Sequence, residues 1–345
     1  MNLLKLLLLP LMPVYAGIIA FRNLLFDKKI LKSKQVNAKV ISIGNISIGG
    51  SGKTPVVIYL TDLLKRNGIN VGVLSRGYGR ISNGYLLVSD GKKIFTTVDQ
   101  SGDEIYHTVL DCKVPAAVSE NRVNGANQLV NDTGIDTIVL DDAFQHRWIK
   151  RDLDIVVLDQ RFLNDKSFFV QNLLPTGILR EPYKSIRRAD AVIYNRKFME
   201  GTPFPSGLEK YVKDKKVFTG YYKAINFIDL KQKTVFNLDE FKGQKSLVVS
   251  GIAIPKSFLN ILSQTNVSVT NKLIFRDHKK YSNKDVQLIR KRFYTTNSHS
   301  VVTTEKDAVK LMNFSKELDD IEIFYLKIKF VMDDEESFRN FILKN

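Results

Sequence analysis

The sequence is poor in the residue types that form disulfides or clustered metal sites. Of its 345 residues only Cys112 is a cysteine, and only four residues are histidines. A single cysteine cannot form an internal disulfide, and no cysteine–histidine group has the spacing of a zinc site. A disulfide-rich secreted scaffold and a zinc finger are therefore excluded. A chain of this length needs neither, because it can bury about 75% of the surface exposed in its unfolded state.

A long, uninterrupted apolar run is also missing. The N-terminal stretch 6–21 has no charged residue, but it is 16 residues long and contains Pro10 and Pro13. A helix needs about 20 apolar residues to cross a bilayer. Basic residues follow the stretch, namely Arg22, Lys28, Lys29, Lys32 and Lys34. We therefore expect an apolar wedge with a basic collar, lying in the leaflet of an anionic membrane.

Two other interpretations of the same stretch remain open. Its leading lysine, its leucine run and the small residue Ala16 imitate a secretory signal peptide. Alternatively, the stretch packs on the core of its own protein. A cytoplasmic nucleotide motif, described below, counts against secretion.

Acidic residues are too few to balance the basic ones. The chain has 36 Asp and Glu against 52 Lys and Arg, which gives a net charge of +16. Such an excess favours an anionic partner, either nucleic acid, a membrane surface or a phosphorylated substrate, although a solvated lysine-rich face would look the same. No RRM, zinc-finger or KH signature is present, so nucleic acid is not the expected partner.

The order of apolar runs predicts an α/β fold of the P-loop NTPase type. From residue 38 onward, short β-branched runs alternate with helical stretches, which is typical of a mostly parallel sheet with helices on both faces. The predicted strands are 40–43, 70–74, 114–118, 137–140, 155–158, 191–194, 216–228, 234–238, 246–250, 269–275, 300–303 and 323–326. The predicted helices are 55–67, 103–110, 122–131, 182–188, 255–263, 283–294 and 305–311. A hairpin is expected at 85–97.

The length favours two domains. The Pro-, Gly- and Ser-rich stretch 201–207 is the best linker candidate. We therefore divide the chain into a membrane-associating segment 1–34, a P-loop domain 35–205 and a smaller C-terminal α/β domain 206–345 that contributes to the active-site cleft.

The strongest motif is a glycine-rich loop between the first predicted strand and the following helix. Its glycines let the backbone curl around phosphates, the helix N-terminus attracts anions, a lysine reaches the β- and γ-phosphates, and a threonine hydroxyl serves Mg²⁺. The nucleotide-binding residues are Ser47, Ile48, Gly49, Gly50, Ser51, Gly52, Lys53 and Thr54. Ser47 stands where the usual pattern has glycine.

A P-loop also needs a metal-holding acid at the end of another strand. Asp141 and Asp142 follow the apolar run 137–140 directly. We expect one of them to hold Mg²⁺, together with Thr54, and the other to position the nucleophile or a ligand. Spacing alone leaves the division of roles open.

Other polar residues are weaker signals. His146 and His278 each follow a predicted strand, and Arg76 and Arg80 flank a glycine-rich turn that can clamp an anion. Asp103 can equally be the N-cap of its helix. The run 303–307 is explained by helix capping.

Taken together, these motifs resemble one family, tetraacyldisaccharide 4'-kinase, the lipid A 4'-kinase of Gram-negative bacteria. The resemblance covers nearly the whole chain, and the joint order of the blocks is far more specific than any one of them. The blocks are 22–27, 43–55, 75–79, 102–104, 140–146, 174–182, 250–255, 277–278 and 304–308. Ala143 and Thr176 depart from the residues frequent in the family, and neither is a proposed catalytic residue.

The resemblance implies transfer of the γ-phosphoryl group of ATP to the 4'-hydroxyl of a tetraacylated disaccharide 1-phosphate, with Mg²⁺ as cofactor. It implies that Asp103 and His278 act as a catalytic pair. Arg76, Arg80 or Arg122 is then expected to bind the 1-phosphate of the disaccharide. The full set of implied substrate-binding residues is Arg76, Tyr78, Arg122, Gln145 and His146.

The implied partners are the lipid A disaccharide precursor and the cytoplasmic leaflet of the bacterial inner membrane, with no protein partner. One alternative is a membrane-associated partition or positioning ATPase. Those proteins carry an additional lysine at the position of Ile48, which counts against them. A second alternative is a metal-insertion GTPase. Such a protein would need a motif that recognises the guanine base of GTP, and residues 305–307 resemble that motif only superficially.

Overall fold

Apolar β-branched runs form the strands of this protein, and the P-loop strand lies among them. The structure, a computed structural model, describes residues 7–252, 254–277 and 279–345. Within them the strands are β1 (Lys39–Gly44), β2 (Val71–Ser75), β3 (Leu86–Asp90), β4 (Pro115–Val118), β5 (Thr137–Asp141), β6 (Leu153–Asp159), β7 (Ala191–Asn195), β8 (Lys216–Asp229), β9 (Val235–Phe236), β10 (Lys245–Ser250), β11 (Ser268–Ile274), β12 (Ser300–Thr304) and β13 (Ile323–Met332).

Helices connect most of these strands. In the described residues they are α1 (Leu11–Asp27), α2 (Lys53–Arg66), α3 (Val98–Ser101), α4 (Asp103–Cys112), α5 (Arg122–Thr133), α6 (Gln160–Asn164), α7 (Phe168–Gln171), α8 (Ser206–Val212), α9 (Pro255–Gln264), α10 (Asn283–Thr295), α11 (Glu305–Leu311) and α12 (Glu335–Lys344). Short 3-10 helices occupy Tyr183–Arg188, Leu238–Phe241 and Met312–Phe314.

The described strands join one 13-stranded, mostly parallel sheet. Its order is β11-β10-β12-β13-β8-β7-β6-β1-β5-β2-β4-β3, with β9 paired to β8. Strand β1 lies between β5 and β6 and is parallel to both. The carboxyl ends of these three strands therefore meet at one edge, which is where ligands bind in open α/β sheets. The predicted α/β fold is confirmed.

Helices cover the sheet on both faces. Along β5, Val139 packs in the core that contains α2, whereas Leu140 packs in the core that contains α5. Successive residues of a strand point to opposite faces, so both faces must be covered when both are apolar. This explains why the central strands are continuous apolar runs.

The sheet continues into the C-terminal half through strand β8. This strand is parallel to β7 and antiparallel to β13, with register from Phe324↔Asp229 to Met332↔Gly220. The predicted end of β13 at residue 326 was wrong, because the antiparallel partner extends the strand by six residues to Met332. The predicted division at residues 205/206 stays a prediction.

Several local predictions were also wrong. In the hairpin expected at 85–97, the second strand is reduced to an isolated antiparallel bridge, Ser89↔Ile94, and β3 also pairs with β4. The segment 182–188 is a 3-10 helix rather than an α-helix. Helix α8 overlaps the expected linker, and helix α12 was not predicted.

The N-terminal apolar stretch forms helix α1, within the described part that begins at residue 7. Pro13 is the third residue of the helix, where its missing N–H would have no partner anyway. No helix in the described ranges 7–252, 254–277 and 279–345 is both long and apolar enough to cross a membrane.

Candidate active site

The phosphate loop lies between the end of β1 and the start of α2. The segment following residue 177 runs beside it, where the Ile48 N–H donates to the Ile178 carbonyl at 2.7 Å. Gly49 and Gly52 have φ of +93° and +90°, which side chains other than glycine rarely adopt. A Cβ on Gly52 would also lie 1.9 Å from the Tyr222 hydroxyl. The loop therefore needs glycine at these two positions.

Lys53 and Thr54 are the first two residues of helix α2, and both are buried. The Lys53 ammonium lies 3.5 Å from Asp142. The N-terminus of a 14-residue helix and a lysine beside it attract an anion. This end of α2 is arranged for phosphates, as the motif predicts.

Asp141 and Asp142 have opposite environments. Asp141 is 1% exposed, and neither of its carboxylate oxygens has a hydrogen-bond partner among the described residues. Burial, together with the charges of Glu104 and Asp142, raises the pKa of Asp141 to about 7. A buried, unpartnered carboxylate beside a phosphate loop is the donor type that Mg²⁺ prefers.

Asp142, in contrast, already has cationic partners. Arg180 donates to both of its oxygens at 2.9 Å, and the Lys53 ammonium lies 3.5 Å from one of them. Burial alone would raise the pKa of Asp142, but Lys53 and Arg180 hold it below its ordinary value. Asp142 thus orients two cations at the mouth of the phosphate loop.

Asp103 and Glu104 approach this region from the start of helix α4. Gly102 is the N-cap of the helix and Asp103 is its first residue, so the alternative of Asp103 as N-cap was wrong. The carboxylate of Asp103 forms an ion pair with Lys310 at 2.9 Å, and that of Glu104 accepts from Lys306 at 2.9 Å. The Lys306 ammonium, against the effect of burial, holds the pKa of Glu104 below its ordinary value.

A cleft of about 1570 Å³ joins these groups. Its lining includes the phosphate loop from Ile48 to Thr54, the acids Asp103 and Glu104 at the start of α4, and Asp142. Asp141 is buried and is not among these lining residues. The five implied substrate-binding residues also line the cleft, namely Arg76, Tyr78, Arg122, Gln145 and His146. Ser47 is buried just outside it, and Arg80 is instead paired with Glu120 at 2.5 Å.

The wall formed by Arg76, Arg122 and His146 is electropositive. Burial and the neighbouring Arg76 lower the pKa of Arg122 to about 10. Burial and the charges of Arg122 and Arg151 lower the pKa of His146 to about 4. The His146 imidazole is therefore neutral at physiological pH, and the positive charge of the wall comes from Arg76 and Arg122. Such a wall can bind a phosphate.

His278, the other member of the implied catalytic pair, lies outside the described residues. Its neighbour Asp277 lines the cleft, as do Gly251 and Lys306 of the C-terminal half.

Several residues of the cleft were missed by sequence reasoning. Arg180 belongs to the block 174–182, which carried the resemblance but received no role. Lys306 and Lys310 follow the capping turn at Thr304, which indeed accepts from the Asp307 N–H. Capping explained that turn fully, so nothing in the sequence signalled that its lysines reach Asp103 and Glu104.

A phosphate loop after the central strand of a parallel sheet, with an acid at the end of the adjacent strand, defines a P-loop nucleotide-binding protein. The comparisons with known proteins narrow this class. A family model described as tetraacyldisaccharide-1-P 4'-kinase matches residues 4–345. The chain belongs to this family, and the predicted resemblance is confirmed.

Individual relatives agree with the family match. A tetraacyldisaccharide 4'-kinase of Aquifex aeolicus is 35% identical over 338 residues, 98% of each chain. One of Halothermothrix orenii is 36% identical over 327 residues, which are 90% of this chain and 83% of the relative. The crystal structure of LpxK from Aquifex aeolicus in complex with ATP superposes with a TM-score of 0.81, covers 99% of both chains and is 34% identical in sequence.

Proposed function

We propose that this protein transfers the γ-phosphoryl group of ATP to the 4'-hydroxyl of tetraacyldisaccharide 1-phosphate, which forms lipid IVA. Its family membership makes it an ATP-dependent phosphotransferase and does not favour the partition-ATPase alternative. One observation carries the proposal. A single cleft contains a phosphate loop, a carboxylate facing it from α4, and an arginine wall for a second phosphate.

Different residues of the cleft have different roles in phosphoryl transfer. The transition state is loose, so catalysis consists mainly of alignment and charge stabilisation. The loop N–H groups and Lys53 hold the β- and γ-phosphates. Asp103, with His278, orients the acceptor hydroxyl and accepts its proton. Arg76 and Arg122 bind the 1-phosphate of the lipid.

The donor set at the end of β5 fits Mg²⁺. The unpartnered carboxylate of Asp141 and the hydroxyl of Thr54 would hold the ion, while Asp142 remains with Arg180 and Lys53. Bound there, Mg²⁺ supplies positive charge that stabilises the phosphates of ATP.

Helix α1 supports a membrane-surface location. Its inner face is anchored to the cleft, where the Tyr15 hydroxyl donates to the Arg180 carbonyl at 2.9 Å and Asn23 donates to Glu181 at 3.0 Å. Its outer face exposes a stripe of apolar side chains, which are Leu11, Val14, Ile18, Phe21 and Leu24. We propose that this stripe enters the cytoplasmic leaflet of the inner membrane and brings the cleft to the acyl chains.

The direct test is phosphorylation of the lipid by purified protein. The protein is incubated with γ-labelled ATP, Mg²⁺ and detergent-dispersed tetraacyldisaccharide 1-phosphate, and we expect label on the lipid. The Lys53→Ala variant serves as control, and we expect its turnover to fall at least about 10²-fold because it loses charge stabilisation. Label that reaches the lipid equally in both proteins, or in neither, would contradict the proposal.

A further inference from the structure

The turn that follows strand β7 contacts the back of the phosphate loop. The Lys197 ammonium donates to the Gly50 carbonyl at 2.5 Å, and the Asn195 amide donates to the next carbonyl, that of Ser51, at 3.3 Å. Both contacts link residues about 145 positions apart in the chain. Two successive carbonyls of the loop are therefore held from the side of β7.

Lys197 is an unusual residue for a turn. It has φ of +56°, is 6% exposed and places a charged group in the protein interior. Burial lowers the pKa of Lys197, and the carboxylate of Asp159, 2.5 Å from the ammonium, opposes this shift. A buried ammonium is tolerated only with such a partner. Asp159 is the last residue of β6, which lies beside β1 on the side opposite to β5. Both neighbours of β1 therefore end in an aspartate near the phosphate loop.

The turn itself is firmly fixed. The Tyr222 N–H donates to the Lys197 carbonyl at 2.7 Å, and the Asn195 amide donates to the Tyr222 hydroxyl at 3.1 Å. The same hydroxyl lies against Gly52. Strand β8 thus fixes the turn through Tyr222, and the turn fixes the phosphate loop through Lys197 and Asn195.

A backbone carbonyl pointing outward leaves the N–H groups of neighbouring peptides free to converge on an anion. Loss of the bond to Gly50 would let this peptide rotate and present its oxygen to the phosphates. We propose that Lys197 is a positioning residue of the ATP site, which fixes the phosphate loop through the Gly50 carbonyl while Asp159 orients its ammonium. This inference rests on the proposed use of ATP as phosphoryl donor.

The test compares two cations that lie near the same carboxylate. Lys197→Met removes the bond to the loop, whereas Arg161→Met removes a half-exposed guanidinium 4.0 Å from Asp159. Binding of ATP with Mg²⁺ is measured by calorimetry, and steady-state kinetics are measured with the disaccharide lipid.

We expect Lys197→Met to weaken ATP binding at least about tenfold, the effect of losing one hydrogen bond to a charged group. The KM for the lipid should stay within about twofold of wild type, and kcat should fall less than the affinity for ATP. Arg161→Met should bind ATP as wild type does. Unchanged ATP affinity in Lys197→Met, or an equal rise of both KM values, would overturn the proposal.

A double variant separates positioning from general stability. Lys197→Met leaves the buried Asp159 with only the guanidinium of Arg161 at 4.0 Å as a cationic partner, which destabilises the protein. Lys197→Met with Asp159→Asn removes both charges and keeps the cap of α6. We expect the double variant to recover most of the melting temperature but not the ATP affinity. Recovery of both would show that Lys197 acts only through stability. Calorimetry does not need the lipid, so a wild type that binds ATP but labels no lipid would reject the proposed acceptor and leave this inference intact.

Discussion

At the scale of single residues, the adjacent residues Asp141 and Asp142 differ in their hydrogen-bond and charge partners. Asp142 is engaged by Arg180 and Lys53, while the oxygens of Asp141 have no hydrogen-bond partner among the described residues. The sequence places both acids at the end of β5 but does not distinguish them. The difference arises because Asp142, with φ of +53°, turns away from the strand toward the segment at Arg180. We therefore propose Asp141, rather than Asp142, as the residue that would hold Mg²⁺.

Asp141 should make stability depend on pH in the absence of divalent cations. Its folded-state pKa of about 7 lies above the unfolded value of 3.8, so the folded state holds a proton that the unfolded state releases between these values. Stability is therefore lost as pH rises from about 4 to about 7. We expect Asp141→Asn to remove this loss and to melt a few degrees, about 2–4 °C, above wild type at pH 8.

The measurement is a series of thermal melts from pH 5 to pH 8, with and without Mg²⁺. The advantage of Asp141→Asn should shrink toward pH 5, and Mg²⁺ should raise the melting temperature of wild type only. Asp142→Asn is the matched control, which should lower stability because it leaves Arg180 and Lys53 without their carboxylate. A variant at Asp141 that melts below wild type at pH 8 would contradict the assignment.

Asp103 should affect turnover more than ATP binding. Its carboxylate lies at the start of α4, lines the cleft and is 2.9 Å from the Lys310 ammonium. We expect Asp103→Ala to lower kcat at least about 10²-fold, as is typical for loss of a general base, with a KM for ATP close to that of wild type. Lys310→Met should lower kcat by a smaller factor, about tenfold, because Asp103 remains but loses one partner.

Steady-state kinetics with both substrates check this prediction. Lys291→Met, at an exposed position of α10, is the control and should behave as wild type. A turnover of Asp103→Ala within about threefold of wild type would remove Asp103 from the catalytic pair.

At the scale of secondary structure, helix α1 has two apolar faces with different partners. One face packs on the cleft through Tyr15 and Phe26, where the Phe26 ring meets that of Trp148 at 5.0 Å. The other exposes Val14, Ile18 and Phe21, which are 57–63% exposed. Internal packing is thus observed on one face of the helix, while the membrane wedge stays a prediction for the other face.

The exposed stripe should govern binding to membranes. We expect the triple variant Val14→Gln, Ile18→Gln and Phe21→Gln to reduce sedimentation with anionic vesicles at least about tenfold, because each apolar side chain contributes to insertion. Glutamine is a good helix former, so the helix itself should persist. The control replaces Leu288 and Tyr294, which are similarly exposed on α10. Vesicle binding that is equal in the triple variant and the control would exclude a role for the stripe.

At the scale of the whole molecule, the end of the chain packs back on the phosphate-loop half. The Phe338 side chain of α12 is fully buried, with ring centroids 5.0 Å from Phe218 and 6.0 Å from Tyr59 of α2. Across the cleft, ion pairs join α4 to the C-terminal half, including Glu104–Lys306 and Asp111–Lys327. The two predicted domains are thus linked by apolar packing at one end and by charges at the cleft.

Phe338 should be important for stability. We expect Phe338→Ala to lower the free energy of unfolding by about 3–5 kcal/mol, because it leaves a cavity at the junction of α2, β8 and α12. Leu343→Ala, at a position 42% exposed on the same helix, should cost much less. Denaturant titration of both variants measures the difference. A smaller loss for Phe338→Ala than for Leu343→Ala would contradict this packing.

The sequence by itself determined the phosphate loop, most strands, the acids at the end of β5 and the family. These features depend on short-range sterics, on the alternation of apolar residues and on a fixed order of blocks, all of which are readable along the chain. Only the tertiary structure decided which aspartate has cationic partners, that Lys310 holds Asp103, and that Lys197 reaches Gly50. Those contacts join residues 38, 207 and 147 positions apart. The energy of a charge depends on its neighbours in space and on its burial, and these are set only when distant strands and helices come together.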